Sequence, residues 1–232
     1  MTFKKLKLYH YPATRSARAR WALHETVGDD FEVETVQLYK GEQYQDAYLQ
    51  RNPNHNVPLL EVTWEDGSVH RMLESAAMVQ WLVDGFPEKG LAPPASLTPE
   101  RADYLQMLHF GGGWMDMMLW QIRIHEHVLP SDQVDPRTIK RYREKFIREA
   151  EPQLKTRLER APFICGERFS GADIVIGHDV SWARGYGLCQ DEVFRSYLSR
   201  VSKRPAFQKA FADARQFDPV VPNRDKNRKF SG

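Results

Sequence analysis

Hydrophobic spacing along the chain changes character once. Leu6 to Tyr11 reads as a strand closed by Pro12, and a helix follows from Ser16 to about Gly28 through Ala17, Ala19, Trp21, Ala22 and Leu23. Phe31 to Leu38 alternates apolar and polar with period two, as a half-buried strand does. A short helix is predicted over Gln43 to Gln50. Leu59-Leu60-Glu61-Val62 reads as a buried strand, Asp66-Gly67 as a turn, and Ser68 to Met72 as the returning partner of a hairpin. An apolar helix then runs from Ser75 to about Val83. The predicted order is β-α-β-α-β-β-α, and the first crossover makes its two strands parallel.

Gly85-Phe86-Pro87 through Pro93-Pro94 is a Pro/Gly-rich link, and beyond it the pattern is helical only. Thr98-Pro99-Glu100-Arg101 is a helix start with Pro in the first turn. That helix is predicted to reach about Val128, with Gly111-Gly112-Gly113 in its middle. Mid-helix glycines cost about 1 kcal/mol each relative to alanine, so a packing reason is implied. A second long helix is predicted from about Asp135 to Arg160. Ser170 and Asp173 form a capping box ahead of an apolar helix through Ile176, Val180 and Trp182. Glu192 to Val201 and Pro205 to Phe217 complete the helices, and 218–232 is a polar tail, disordered or laid over the surface. The predicted division is 1–84, a linker at 85–97, a helical domain at 98–217, and the tail.

Composition narrows the class. The 232 residues are 41% hydrophobic and 28% charged, which is ordinary for a globular protein. A net charge of +2 makes no electrostatic case for nucleic acid or a membrane surface. No apolar run approaches the length of a membrane span, and the start, Met1 to Leu6, reads as having no leader. Cys165 and Cys189 lie far apart among apolar residues and read as inert buried thiols in a reducing cytoplasm. His125-Glu126-His127 does not read as a metal site, because side chains two apart on a helix diverge, and no metal is expected. Arg137 to Arg148 reads as a solvated, charged helix face.

The stretch from Asn52 to Ser75 carries the chemistry. Pro58 lacks an amide hydrogen and holds Val57 extended, so Val57 would offer its N–H and C=O to an extended, peptide-like ligand. Glu74-Ser75 stand where the hairpin gives way to a helix, whose first amides are free to take a carboxylate. Together they suggest a small peptide bearing a carboxylate. The string Asn52-Pro53-Asn54-His55-Asn56-Val57-Pro58, with Glu74-Ser75 sixteen residues on, resembles the glutathione site of the cytosolic glutathione S-transferases. The resemblance covers residues 6 to about 217, including the Ser170-Gly171-Ala172-Asp173 box and Arg204-Pro205-Ala206-Phe207-Gln208.

It implies an α+β fold, a thioredoxin-like glutathione-binding domain followed by an all-α domain. It implies a cis Val57-Pro58 bond, Val57 pairing with the cysteinyl backbone of glutathione, and Glu74 and Ser75 holding the γ-glutamyl end. The family's Gly-Lys or Gly-Gln before Val-Pro is replaced here by His55-Asn56, with Asn56 at the glutathione-binding position.

Such an enzyme must ionise a thiol of pKa about 8.5. Lowering that by about two units takes roughly 2.7 kcal/mol, which a hydroxyl donor, a guanidinium and a helix N-terminus can supply together. Tyr11-Pro12-Ala13-Thr14-Arg15-Ser16 contains all three. Aligned on Arg18-Ala19-Arg20-Trp21, the serine-type members place their hydroxyl at Thr14, or at Ala13 if the loop differs by one. The cysteine types would have their thiol near Arg15, where this chain has none, and the tyrosine types point to Tyr9, with Tyr11 close by. Thr14 is the preferred donor, Ser16 the next and Tyr11 the third. Ser16 also reads as a plain helix cap. Arg15 would stabilise the thiolate or a substrate anion, or lie on the surface.

In the resemblance the electrophile lies between this loop and the first helix of the helical domain, here His109 to Trp120. Tyr11, His109, Gly113 and Trp114 are the candidate pocket residues, with the glycines opening room beside the sulfur. Met and Trp at helical spacing also read as core or dimer packing, with Trp114 and Met118 inside. The implied protein is a cytoplasmic, homodimeric detoxification enzyme that joins glutathione to a hydrophobic electrophile or reduces a peroxide. The alternatives are a glutathione-binding module without catalysis and a specialised glutathione-dependent lyase or isomerase.

Overall fold

A computed structural model describes residues 3–216. The expectations for Met1-Thr2, for Phe217 and for the tail 218–232 lie outside the described residues. Strands β1 (Phe3–His10), β2 (Glu32–Thr35), β3 (Leu59–Trp64) and β4 (Val69–Met72) form one sheet in the order β2-β1-β3-β4. β1 and β2 are parallel, joined through α1 (Ser16–Thr26), and the other pairs are antiparallel. Alternation sets the two faces. Leu6 and Leu8 of β1 and Leu60 and Val62 of β3 join the main core, while Tyr9 and Leu59 join a smaller cluster with Tyr11, Val36, Tyr48 and Val57. The four-residue α2 (Asp46–Leu49) precedes β3, and α3 (Ser75–Gly85) closes this part.

The helical part comprises α4 (Pro99–His109), α5 (Asp116–Arg123), α6 (Pro136–Glu149), α7 (Glu151–Arg160), α8 (Gly171–Gly185), α9 (Glu192–Val201) and α10 (Pro205–Ala210). The predicted helix from Thr98 to Val128 exists, but it widens into π-turns at Phe110–Met115 and Ile124–Val128. Ser170 and Asp173 form the predicted capping box. α8 is buried along most of its length and is the pillar against which α1, α3, α4 and α5 pack.

Three boundaries differ from the sequence reading. β2 is only four residues, and Val33 is 41% exposed, because it lies on the sheet edge with solvent on one face. The helix predicted from Asp135 to Arg160 breaks at Ala150, since Pro152 cannot continue the amide ladder. The last predicted helix stops at Ala210, and a 3₁₀ turn at Ala214–Gln216 follows.

Candidate functional site

The loop between β1 and α1 turns through a left-handed Ala13, φ 51°. That turn folds Thr14 back over Tyr11. Thr14 Oγ1 donates to the Tyr11 carbonyl at 2.8 Å and lies 2.8 Å from Ser16 Oγ. Ser16 is fully buried. Its hydroxyl accepts from the Tyr11 amide at 3.1 Å, lies 3.0 Å from the Tyr11 carbonyl and 2.7 Å from His10 Nδ1. Thr14 is half-buried, so it reaches the surface of the loop while Ser16 braces it from within. Tyr9 points elsewhere, its hydroxyl bonded to Glu61 at 3.0 Å. Tyr11 is buried, with its ring edge-on to Tyr39.

The Val57-Pro58 bond is cis. Asn52, fully buried, fixes the preceding turn by donating through Nδ2 to the Asn56 carbonyl at 2.8 Å and to Asn56 Oδ1 at 2.9 Å. Tyr48 adds its hydroxyl to the Asn56 carbonyl at 2.6 Å. Asn56 itself is exposed and Pro58 is buried. Among the described residues, the Val57 amide and carbonyl form no hydrogen bond. Glu74 adopts φ 68°, a strained geometry for a residue with a side chain, and it is exposed at the head of α3. No side chain caps α3, so its first amides have no acceptor among the described residues.

Arg18 ties these pieces together. It is fully buried, and its NH1 donates to Ser75 Oγ at 3.2 Å. Its NH2 pairs with Asp179 and with Asp116 Oδ2 at 2.8 Å, and its Nε donates to His178 Nδ1 at 3.1 Å. Because His178 Nδ1 accepts, the ring hydrogen sits on Nε2, 3.2 Å from the Thr14 carbonyl, and donates to it. Thr14 and Ser75 are thus joined through one imidazole and one guanidinium. Burial holds His178 below the usual histidine range, with the Arg18 charge adding to it. Burial pushes the Asp179 carboxyl up, more than Arg18 pulls it down. Burial also raises Asp116, but there Arg18 and Arg15 outweigh it and the carboxyl lies below its ordinary value.

Arg15 is not a loose surface residue. Its Nε donates to both Asp116 oxygens at 2.9 and 2.8 Å. Its guanidinium lies 4.6 Å from the Trp120 ring and 5.3 Å from the Trp182 ring. These two tryptophans give the loop an aromatic flank; sequence reasoning placed Trp120 in the stretch facing this loop without singling it out, and missed Trp182, which belongs to α8.

The first π-turn explains the glycines. A Cβ at Gly111 would come within 2.8 Å of Ile176 and Val175, and one at Gly112 within 2.6 Å of Ala76 Cβ. The expectation that all three open room is therefore corrected. Gly111 admits α8 and Gly112 admits the first turn of α3, and open space remains only at Gly113. His109 and Gly113 are exposed. Trp114 is 42% exposed under Lys145, whose Nζ is 4.6 Å from the ring, so the expectation of a core Trp114 fails while Met118 is fully buried.

Cys189 is buried and Cys165 half-buried, and burial pushes the Cys165 thiol up to about 12 and the Cys189 thiol up as well. Neither belongs to the Thr14 loop. His125 accepts the Asp135 amide at 3.1 Å, and His127 lies 3.5 Å from Glu126. Among the described residues no group of three or more His, Cys, Asp or Glu is arranged to hold a metal. Nor is any described helix long and apolar enough to cross a membrane. A groove of about 620 Å³ is lined by Asp103, Arg157 and Cys165 among others, and it shares no residue with the Thr14 loop.

Sequence reasoning also missed His10, Asp116, His178, Asp179 and Asp213 around this loop. Only His10 carried a local signal, since it continues the inward alternation of Leu6 and Leu8 and is a polar residue placed in the core.

Residues 4–84 match the family model for the glutathione S-transferase N-terminal domain. The disulfide-bond oxidoreductase YfcG of Escherichia coli is 29% identical over 217 residues, covering 92% of this chain and 97% of that protein. The maleylacetoacetate isomerase of Pseudomonas aeruginosa is 36% identical over 89 residues, covering 37% of this chain and 40% of that protein. Among solved structures, a ternary complex of the bacterial glutathione transferase BphK superposes with a TM-score of 0.75 at 27% identity, covering 90% of this chain and 98% of that one. The transferase URE2P6 of Phanerochaete chrysosporium, in complex with oxidised glutathione, gives a TM-score of 0.78 at 23% identity, over 92% and 97% of the two chains, and this shows the shared fold. The N-terminal family match, a relative aligned over nearly its whole length and the common architecture make the chain similar to glutathione S-transferases along most of its length, with residues 4–84 carrying that family's N-terminal domain.

Proposed function

We propose that this chain binds glutathione and ionises its thiol for attack on a hydrophobic electrophile. The observation that carries the reading is the set of uncommitted backbone groups at Val57 and at the head of α3, where Ser75 is joined to the Thr14 carbonyl through Arg18 and His178. In this reading the cysteinyl backbone of glutathione pairs with Val57, held out by Pro58. The γ-glutamyl carboxylate takes the free amides at Glu74-Ser75. Asn56 borders the glycyl end. Thr14 donates to the sulfur, and Ser16, buried behind it, is a positioning residue rather than the donor. Arg15 adds positive charge, although Asp116 already neutralises much of it. Tyr11, His109, Gly113 and Trp120 border the electrophile, and Trp114 is retained only for its outer rim.

The thiol proton leaves to solvent, and the sulfur lone pair forms the new carbon–sulfur bond as the leaving group departs with its electrons. A peroxide would instead take two electrons and two protons from two glutathiones, giving glutathione disulfide, an alcohol and water. Residues 1–84 would form the glutathione-binding domain and 98–217 the electrophile-binding one, in a cytoplasmic homodimer.

A second reading draws on the near-full-length resemblance to a disulfide-bond oxidoreductase. There the thiolate attacks a substrate disulfide, a second glutathione resolves the mixed disulfide, and the protein's own cysteines take no part. Titration calorimetry with glutathione, followed by mass analysis of products from an aryl halide, a hydroperoxide and a small disulfide, separates these outcomes. A thioether of one glutathione per electrophile supports the first reading. Glutathione disulfide from the small disulfide alone supports the second. Glutathione bound without any product marks a binding module, and no binding overturns the proposal.

A further inference from the structure

His10 is fully buried and has no part in the reading above, yet it touches the residue that braces Thr14. Its Nδ1 is 2.7 Å from Ser16 Oγ. Its Nε2 is 3.2 Å from Asp213 Oδ2 and 3.4 Å from Arg20 NH1, and Arg20 and Asp213 pair with each other. Asp213 follows α10, so the far end of the described chain closes on the first strand. The contacts form one line, Asp213–His10–Ser16–Thr14, ending at the proposed sulfur donor. Among the described residues, Ser16 and Arg20 of α1 and Asp213 are the polar and charged side chains facing the ring; just beyond β2, the Val36 amide donates to the His10 carbonyl at 2.9 Å.

Each short contact in the line needs one hydrogen, and each hydroxyl has one to give. If Nδ1 is bare, Ser16 must donate to it. The 2.8 Å contact between Ser16 and Thr14 then requires the Thr14 hydrogen, which points away from any ligand. If Nδ1 carries hydrogen, it donates to Ser16, Ser16 donates to Thr14, and the Thr14 hydrogen is freed from Ser16, resting on the Tyr11 carbonyl at 2.8 Å until a bound sulfur draws it away. All donors then run one way, an arrangement in which each bond strengthens the next. Nε2 faces both the Asp213 carboxylate, which can only accept a hydrogen, and the Arg20 guanidinium, which can only donate one. We infer that His10 is a positioning residue whose Nδ1 hydrogen, backed by Asp213, aims the Thr14 hydroxyl at the bound glutathione sulfur.

This inference rests on the glutathione reading, so its test measures both. The full-length protein and its Thr14→Ala, His10→Phe and Asp213→Asn variants are titrated with pH while thiolate absorbance of bound glutathione is followed. Binding of S-methylglutathione, which has no thiol, is measured beside them. The expected result is that His10→Phe raises the bound thiol pKa by about one unit, a roughly tenfold loss of thiolate at neutral pH. Asp213→Asn moves it the same way by less, and S-methylglutathione affinity stays within about twofold. Asp213 is at the periphery, so its variant carries the test if His10→Phe does not fold. A shift on Thr14→Ala with none on His10→Phe or Asp213→Asn overturns the relay and leaves the glutathione reading intact. Equal losses of S-methylglutathione binding reduce His10 to a packing role and overturn it too. No lowered thiol pKa in the unaltered protein overturns both.

Discussion

Thr14 is held from several sides, and its one hydroxyl hydrogen, which rests on the Tyr11 carbonyl, must turn outward to meet a sulfur. Its carbonyl takes the His178 hydrogen, its hydroxyl rests on the Tyr11 carbonyl and on Ser16, and the left-handed Ala13 before it sets the angle. This part of the site was legible in the string Thr14-Arg15-Ser16, because the chemistry of a hydroxyl before a helix is local. The bracing was not, since His178 lies 164 residues further along the chain. Gly112 makes the same point at closer range. The sequence marked it as a costly mid-helix glycine but could not show that Ala76, one residue after Ser75, occupies the space its side chain would need. Gly112→Ala must therefore push the head of α3 outward, since neither Cβ can rotate away. We expect a loss of roughly 1–3 kcal/mol in stability and glutathione binding weakened about tenfold, read by denaturant titration and calorimetry. Unchanged glutathione affinity would show that the head of α3 does not carry the ligand.

Among the elements, α8 is the one to which the site is fastened. It is opened by the Ser170–Asp173 box, in which the buried Asp173 also accepts the Ile164 amide at 2.9 Å and the Tyr197 hydroxyl at 3.0 Å. The box was readable because capping is a matter of residues three apart. The face that His178 and Asp179 turn toward α1 was not, since an apolar helical pattern does not say which polar members meet an arginine. Asp116 of α5 completes that junction. Asp116→Asn leaves Arg18 with Asp179 as its one carboxylate partner and removes the bidentate partner of Arg15, at a cost of roughly 3 kcal/mol. The sign with pH follows from the position of the carboxyl below its ordinary 3.8 in the folded protein. Its contribution is whole at neutral pH and disappears as pH falls from that value through the folded one. The deficit of the variant in urea titrations should accordingly shrink in acid; a deficit that persists there would mean that Asp116 acts through packing rather than charge.

At the scale of the whole molecule, one core runs from Leu6 and Leu8 of the sheet through Met78 and Leu82 of α3 to Ile176 of α8 and Ala210 of α10. The sequence divided the chain at a Pro/Gly-rich link and so suggested two units. It could not show that their apolar faces share one core, because the faces meet across large separations. A single cooperative thermal transition is expected, with tryptophan fluorescence and far-ultraviolet dichroism melting together; two separated transitions would mean that the sheet-bearing and helical parts fold independently.

The account as a whole stands on the Thr14 hydroxyl lowering the pKa of a bound thiol. The most direct measurement is a pH titration of thiolate absorbance for glutathione bound to the unaltered protein and to Thr14→Ala and Thr14→Ser. The account predicts a bound thiol well below its free pKa in the unaltered protein, largely kept by Thr14→Ser and raised by about one to two units in Thr14→Ala. A bound thiol that titrates like free glutathione, or one whose pKa is the same with and without the Thr14 hydroxyl, would contradict it.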